Sequence, residues 1–427
     1  MKKAALLAAG DSTRMLPLSA NTPKHLLPVA GKPLIFHTLE SLRGAGIREI
    51  LVINGYRGEV LRETIDSHDW SPMVISYVQQ EERKGTAHAA ALAEDFAGDD
   101  SFLLIYGDVI SGPFTFEGII DRHRRGGFSL TISVFPVDNP SDYGVVKVEE
   151  GEVTDLIEKP SPGQEVGNLV NAGVFCAEAS LWDAIEKTKM SSRGEYEITD
   201  SFLKIVESEK VGAFQIQDWW VDVGKPWDLL EVNKNLIDGQ KRNIEGEVEE
   251  GAQLRGNVVV EEGATVRSGA YALGPVYVSE GAVVGPNCFL RPHTFLSKNV
   301  KIGNGVEVKN SIVMDGSSIG HLSYVGDSVI GRKVNFGAGT TTANLRHDDH
   351  TIWVTVKGKR ENSGRRKLGA IVGDDVKLGI GTLLSPGVIV HNGAQTGMGV
   401  IVEKDIEANK LVLAVQKTRS FNMDTGE

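Results

Sequence analysis

Arg14 and Lys24 follow a run of small residues, Ala8-Ala9-Gly10, which itself ends an apolar stretch over 4–7. Apolar residues running into small ones predict a strand that delivers a loop whose backbone N–H groups can approach a ligand closely. Arginine offers phosphate a planar fork of donors, and lysine offers a point charge. The order Gly10, Thr13-Arg14, Pro17, Pro23-Lys24 therefore predicts a polyphosphate cradle. It matches neither the G-x-x-x-x-G-K-[ST] loop nor the G-x-G-x-x-G loop. Two carboxylates end apolar runs of their own: Asp108, after Phe102-Leu103-Leu104-Ile105-Tyr106-Gly107, and Asp222, in Trp219-Trp220-Val221-Asp222-Val223-Gly224. Two carboxylates plus nucleotide phosphates form a ligand set that Mg²⁺ accepts, with water in the remaining positions. Gln80 precedes Gly85-Thr86, and its amide can both donate and accept, which suits the edge of a pyrimidine base.

These residues need a scaffold. Strands are predicted over 4–7, 49–53, 74–78 and 102–106, with helices over 34–45 and 58–67 and a further helix starting at Thr86. Pro33 opens the first helix and Gly46 closes it. A helix is also expected from Lys225-Pro226-Trp227, with proline in its first turn. Alternating strands and helices predict an α/β fold with a mostly parallel sheet and its ligands at the carboxyl ends of the strands.

At 427 residues the chain exceeds one ordinary core. Its 49 glycines concentrate in the second half, which predicts a repeat. From about 244 onward, aliphatic–glycine pairs recur at Val284-Gly285, Ile302-Gly303, Ile319-Gly320, Val325-Gly326, Ile330-Gly331, Phe336-Gly337, Val372-Gly373 and Leu378-Gly379. Spacings of six, with slips of one, predict a left-handed parallel β-helix of hexapeptide repeats. The expected division is a first domain over 1–240, a β-helix over 244–416 and a polar tail over 417–427. Within 345–370 the repeat is interrupted by a strand-like run and the basic residues Lys357, Lys359, Arg360, Arg365, Arg366 and Lys367, which predict a hairpin with a basic limb.

A net charge of −12 argues against nucleic acid or a membrane surface as a partner. Cys176 and Cys288 lack metal spacing and read as buried thiols of a reducing, cytoplasmic setting. The apolar start is too short for a signal peptide.

The N-terminal motifs resemble those of the sugar-1-phosphate nucleotidyltransferases, which join a Rossmann-like domain to such repeats in several branches. That resemblance implies nucleotide binding by Leu7, Ala8, Ala9, Gly10, Gln80, Gly85 and Thr86, and catalysis by Arg14 and Lys24. It implies a sugar-phosphate site at Gly144, Glu158, Lys159 and Asn171, and a metal held by Asp108 and Asp222. A sugar-1-phosphate oxygen would attack the α-phosphorus of UTP or dTTP and release pyrophosphate; Gln80 reads an edge the two bases share. The family usually has glycine at the position of Ser12. A positive φ there would cost serine about 1 kcal/mol, while its hydroxyl could donate to phosphate.

The coil carries Arg291, Lys309, Gly320-His321-Leu322-Ser323-Tyr324-Val325-Gly326-Asp327 and Asn335 to Asn344. Their order resembles the acetyltransferase half of the bifunctional enzymes that make UDP-N-acetylglucosamine, with the Asp-Val-Gly form of Asp222 closest to the archaeal branch. The resemblance implies that His321 is the general base, that Arg291 and Lys309 hold the sugar phosphate, and that Tyr324, Asn335 and Asn344 orient the sugar. Ala338 would lie beside acetyl-CoA, and the chain would form a homotrimer through its coil. Two other readings stay open: a monofunctional nucleotidyltransferase whose coil only organises the oligomer, and a non-catalytic regulatory subunit of the same architecture.

Overall fold

The computed structural model describes residues 1–160 and 167–420. Two compact units divide the chain: Met1–Met15 with Ser19–Val232, and Leu16–Leu18 with Asn233–Glu427. Residues 161–166 and 421–427 lie outside the described residues, so the expected tail is described only to 420.

The first unit is built on a nine-stranded sheet. In chain order its strands are β1 (Lys3–Ala8), β2 (Glu49–Asn54), β3 (Val74–Gln79) and β4 (Phe102–Tyr106), then, after a short strand β5 (Val109–Ser111), β6 (Leu130–Pro136), β7 (Gly144–Glu149), β8 (Glu152–Glu158), β9 (Leu169–Ala177) and β10 (Val211–Gln215). The spatial order is β3-β2-β1-β4-β9-β6-β10-β8-β7. The strand β11 (Trp220–Asp222) stands apart, pairing antiparallel with β5. Helices α1 (Leu34–Gly44), α2 (Gly58–Asp66), α3 (Thr86–Ala91) and α4 (Asp228–Asp238) are the ones that bear on the site.

The sequence of β1 explains why it is central. Ala4, Leu6 and Ala8 face one buried cluster while Ala5 faces the other. Both faces are covered, as in sheets flanked by helices on each side. The chain runs from β1 outward through β2 to β3, then returns to place β4 on the other side of β1. That reversal makes a crevice at the carboxyl ends of β1 and β4, where α/β sheets bind ligands.

The sheet is mixed, not mostly parallel. Strands β1 to β4 are parallel, but β9 runs antiparallel to both β4 and β6, and β7 pairs antiparallel with β8. The β7–β8 connection is a tight turn at Glu150-Gly151, both at positive φ, and a tight turn can only join antiparallel neighbours. The last helix of the unit begins at Asp228, later than the sequence suggests. The Asp228 carboxylate accepts the Gly224 and Lys225 N–H groups, at 3.0 and 2.6 Å, holding those residues in a turn ahead of the helix.

The second unit is a left-handed parallel β-helix of three sheets with eight, nine and eight strands. Most of its turns take 17 or 18 residues, while the turn that carries the insertion takes 42. The aliphatic residues before glycine stack into inward ladders: Val284, Ile302, Ile319, Phe336 and Leu378 in one sheet, Val325 in the second, Ile330 and Val372 in the third. All are essentially buried, and each aliphatic side chain so removed from water contributes about 1.5–3 kcal/mol. At several of these positions, though not at Gly320, the next turn approaches too closely for a side chain. A methyl on Gly303 would lie 1.9 Å from the Gly320 carbonyl oxygen. The interruption is a hairpin, as expected, with Trp353–Val356 antiparallel to Lys359–Asn362. Ile352 and Val354 are buried, and a methyl on Gly387 would meet Ile352 at 2.5 Å, so the hairpin lies against the coil there.

Candidate active sites

The phosphate-cradle residues Leu7, Ala8, Ala9 and Gly10 form the end of β1 and the loop beyond it. A methyl on Gly55 would lie 2.5 Å from the Ala9 carbonyl oxygen, so the loop rests directly on the end of β2. Ser12 does adopt the left-handed conformation, with φ +57°. Its hydroxyl is buried without a hydrogen-bond partner, which marks a donor held ready for something the protein itself does not supply.

Lys24 is buried and donates to the Asp108 carboxylate and, at 3.2 Å, to the Val223 carbonyl. Asp108 follows β4, and Asp222 ends β11. The β5–β11 ribbon brings the two together, with Asp222 opposite Val109 and the Val223 N–H on the Asp108 carbonyl at 2.9 Å. Asp222 thus reaches the crevice at the end of a strand, as expected, and that strand belongs to this ribbon and not to the main sheet. Burial opposes ionisation of Asp108, but the Lys24 charge and hydrogen bond outweigh it and hold the carboxyl below its usual range. Asp222 is pushed up to about 6, by burial and then by the Asp108 charge, with Lys24, Arg14 and Lys159 opposing the rise. His25, buried beside Lys24, is pushed down to about 4 by burial and then by that lysine, so it is neutral. The Arg14 guanidinium stands over Gly224, where a methyl would be 3.7 Å from its carbon. Arg14, Lys24, Lys159, Asp108 and Asp222 therefore converge at one place.

Gln80 follows β3 and is buried, its amide donating to the Gly85 carbonyl at 3.4 Å and meeting His88 Nδ1 at 3.0 Å. Gly85 has φ +110°, and a methyl there would lie 2.4 Å from the Tyr196 carbonyl oxygen. The Thr86 hydroxyl accepts the Ile198 N–H at 2.9 Å. It therefore docks another element in this state.

Gly144 and Glu158 face each other across β7 and β8. A methyl on Gly144 would lie 2.9 Å from a Glu158 carboxylate oxygen and 3.9 Å from the Asn171 Cβ, so these three share one cluster. Tyr106 at the end of β4 lies against Gly173, two residues beyond Asn171, where a methyl would be 2.7 Å from its ring, which joins the cluster to the end of β4. Burial, then the Glu158 charge, hold the Tyr106 phenol protonated. Lys159 is exposed, at φ +45°, beside Glu158. Sequence reasoning missed two partners here. Arg193 donates to Glu158 at 3.2 Å and to Glu197 at 2.9 Å, and Asp228 fixes the turn after Asp222. A loop of alternating charge just ahead of a helix, Arg193-Gly194-Glu195-Tyr196-Glu197, was the available signal for the first.

In the coil, the predicted residues fall on successive turns. Arg291 follows the strand Phe289–Leu290, Lys309 ends Glu307–Lys309, Tyr324 begins Tyr324–Gly326, and Asn344 lies just past Thr341–Thr342. These strands are consecutive neighbours in one sheet. Arg291 pairs with Glu307 at 2.8 Å and Lys309 with Asp327 at 3.2 Å. Asn344 donates to the Tyr324 hydroxyl at 3.2 Å and to Asp327. Burial, then the Asp327 charge, raise the Tyr324 phenol, keeping it protonated. His321 is exposed at the end of the strand Ser318–His321 in the adjacent sheet, opposite Asn304. Its carbonyl accepts the Gly339 N–H at 3.4 Å, which places Ala338 on the next turn. Asn335 is exposed on the same sheet, opposite Ser318. The basic limb is partly spoken for: Arg366 pairs with Asp349 at 2.7 Å, and Arg360 donates to the Trp353 carbonyl. Asp327 stood in the motif but carried no assigned role.

Comparison with known proteins agrees with both halves. A model described as nucleotidyl transferase matches residues 3–239, and one described as GMPPB C-terminal domain matches 272–394. The chain is 40% identical over 410 residues, 96% of its length and 97% of the relative's, to the bifunctional protein GlmU of Methanocaldococcus jannaschii. It is 40% identical over 409 residues, 95% of its length and 98% of the relative's, to a bifunctional sugar-1-phosphate nucleotidylyltransferase/acetyltransferase of Sulfurisphaera tokodaii. Among solved structures, a UDP-glucose pyrophosphorylase complexed with UDP-glucose aligns with TM-score 0.52 at 24% identity, over 56% of this chain and all of that one. This last likeness concerns the fold of the first unit. With relatives at this identity along nearly its whole length, the chain belongs to the nucleotidyl transferase family, among the archaeal bifunctional sugar-1-phosphate nucleotidylyltransferase/acetyltransferases.

Proposed function

We propose that the protein is a bifunctional enzyme of UDP-N-acetylglucosamine synthesis, acetylating glucosamine-1-phosphate on the coil and coupling the product to UTP in the first unit. The convergence of Arg14, Lys24, Lys159, Asp108 and Asp222 at the sheet's switch point carries the nucleotidyl transfer. The attacking sugar phosphate is already ionised and needs no base. The task is to bring two anions into line and neutralise them. Arg14 holds the departing pyrophosphate, and Lys24 and Lys159 hold the α- and sugar phosphates. Glu158 and Asn171 accept from and donate to the sugar, and Gly144 leaves it room.

Mg²⁺ fits the Asp108–Asp222 pair, where burial and then the Asp108 charge raise Asp222. Bound there, it supplies charge neutralisation to the phosphates. Among the described residues no cluster of three or more His, Cys, Asp or Glu side chains could hold a metal, so the remaining ligands of such an ion would be phosphate oxygens and water.

In the coil, His321 takes the proton that a sugar amine loses as it attacks the thioester of acetyl-CoA and the C–S bond breaks to release coenzyme A as the free thiol. Arg291 and Lys309 meet the sugar phosphate. Association into a cytoplasmic homotrimer completes the reading. Among the described residues no helix is long and apolar enough to cross a membrane.

A second reading, with the coil as an oligomer scaffold, is favoured by the match of 272–394 to a GMPPB C-terminal domain. One experiment separates them: thiol release from acetyl-CoA and glucosamine-1-phosphate, with and without His321→Ala. Release that the variant loses supports the bifunctional reading. Absence of release, with galactosamine-1-phosphate tested too, leaves a scaffold beside a nucleotidyltransferase.

A further inference from the structure

Asp327 is the most deeply buried charged group of the coil site, with its side chain only 4% exposed. It follows the strand Tyr324–Gly326 at φ +50°, with its backbone N–H on the Lys309 carbonyl at 2.9 Å and its carbonyl accepting the Gly369 N–H at 2.8 Å. Its two carboxylate oxygens accept from three side chains on neighbouring turns: Lys309 Nζ at 3.2 Å, Asn310 Nδ2 at 2.7 Å, and Asn344 Nδ2. Removing such a charge from water is costly unless it is paired and hydrogen-bonded, and here it is both.

The chemistry of the acceptor decides what Asn344 can do. An ionised carboxylate has acceptors only, while an amide has a donating and an accepting side. Asn344 must therefore turn its NH₂ toward Asp327. The same NH₂ reaches the Tyr324 hydroxyl, so both of its hydrogens are engaged within the coil. The Asn344 carbonyl oxygen is left facing the other way as a fixed acceptor. A fixed acceptor suits a group rich in N–H donors, and an amino group has more of them than a hydroxyl. Lys309, with its charge balanced by Asp327, is held in place on the turn below.

The geometry points to Asp327 as the positioning residue that makes the coil site select an amine-bearing sugar phosphate, by fixing the Asn344 amide so that its oxygen is presented to the amine. It touches no reacting atom in this account; it acts through Asn344 and Lys309. The inference rests on the acetyl-transfer reading above. Two controls keep its failure distinct from the failure of that reading: acetyl transfer by the unaltered protein, and its loss in His321→Ala. If the unaltered protein transfers no acetyl group, the reading itself falls.

The test is Asp327→Asn in the full chain, with glucosamine-1-phosphate as acceptor and glucose-1-phosphate as a competitor differing in that one group. The isosteric amide can offer a donor to Asn344, releasing its orientation. The expected result is a KM for glucosamine-1-phosphate raised about ten-fold, as for loss of a charge-assisted hydrogen bond. The preference over glucose-1-phosphate should collapse, while the KM for acetyl-CoA and the pH profile set by His321 stay as they were. Unchanged acceptor KM and preference would overturn the proposal, as would equal damage to the acetyl-CoA KM. Uridylyl transfer by the same preparation reports on folding. Should Asp327→Asn lose that as well, Asn344→Ala decides: it removes the proposed acceptor while keeping the carboxylate. Retained discrimination between amine and hydroxyl in that variant overturns the proposal, and lost discrimination supports it.

Discussion

At the scale of the residue, charge balance around Asp222 sets the clearest expectations. Burial and then the Asp108 charge push its carboxyl up to about 6, so the Mg²⁺ concentration giving half-maximal uridylyl transfer should rise as the pH is lowered through about 6. A requirement flat from pH 5 to 8 would contradict this. Asp228 is pushed up to about 7 by burial and then by the Asp222 charge. Below the ordinary carboxylate value the folded and unfolded chains are both protonated there. As the pH rises, the unfolded chain ionises first, and stability is lost until the pH passes about 7. Asp228→Asn keeps an acceptor for the Gly224 and Lys225 N–H groups without the charge. It should exceed the parent in stability at pH 8 by ~1 kcal/mol, with the gap narrowing toward pH 5; thermal melts at the two pH values check it. The unpartnered Ser12 hydroxyl leads to a third expectation: Ser12→Ala should raise the KM for UTP by about five-fold, the worth of a single hydrogen bond. The placement of such residues was legible in the sequence where a residue type has few uses, as with Arg14 and Lys24 beside a loop of small residues, which the structure brings to the same crevice as Asp108 and Asp222. Asp228 and Arg193 were not legible. A carboxylate in the first turn of a helix and an arginine in a charged loop have ordinary explanations until their partners are seen.

At the scale of the element, strands announced by strictly apolar runs were read to within a residue or so, because burial on both faces leaves little choice of composition. The repeat was equally plain, since a residue that must point inward at every corner writes its own period. What could not be read was pairing. Nothing in Trp219-Trp220-Val221-Asp222 says that it will join β5 and not the main sheet, because pairing is decided by residues more than a hundred positions away. The hairpin at 353–362 illustrates both sides. Its first strand was visible as a strand-like run and its second only as a basic limb, and its seat over Gly387 was not visible at all. That seat admits no Cβ without moving Ile352. Gly387→Ala should therefore loosen the hairpin, seen as faster proteolysis within 345–367, with uridylyl transfer unchanged. Equal cleavage of both proteins would show that the hairpin is held elsewhere.

At the scale of the molecule, two chemistries depend on two separate kinds of scaffold, and damage should stay local. Asp222→Ala should abolish pyrophosphate release and spare thiol release; His321→Ala should do the reverse. Ile302→Ala, deep in the inward ladder, should cost about 3 kcal/mol through the cavity it leaves, measurable by denaturant unfolding. The ladder also has a consequence for how such a chain changes over time. Val329 and Ile330 pair directly with Ile371 and Val372, 42 positions on, and the turns continue beyond them as though nothing had intervened. Each turn touches only its neighbours, so a corner of the coil tolerates a new segment without disturbing the rest. The junction between Asn344 and Leu368, closed by a backbone hydrogen bond of 3.1 Å, behaves as a cassette slot beside the proposed coil site. A lineage, or an engineer, can exchange what occupies that slot while the load-carrying column stays the same.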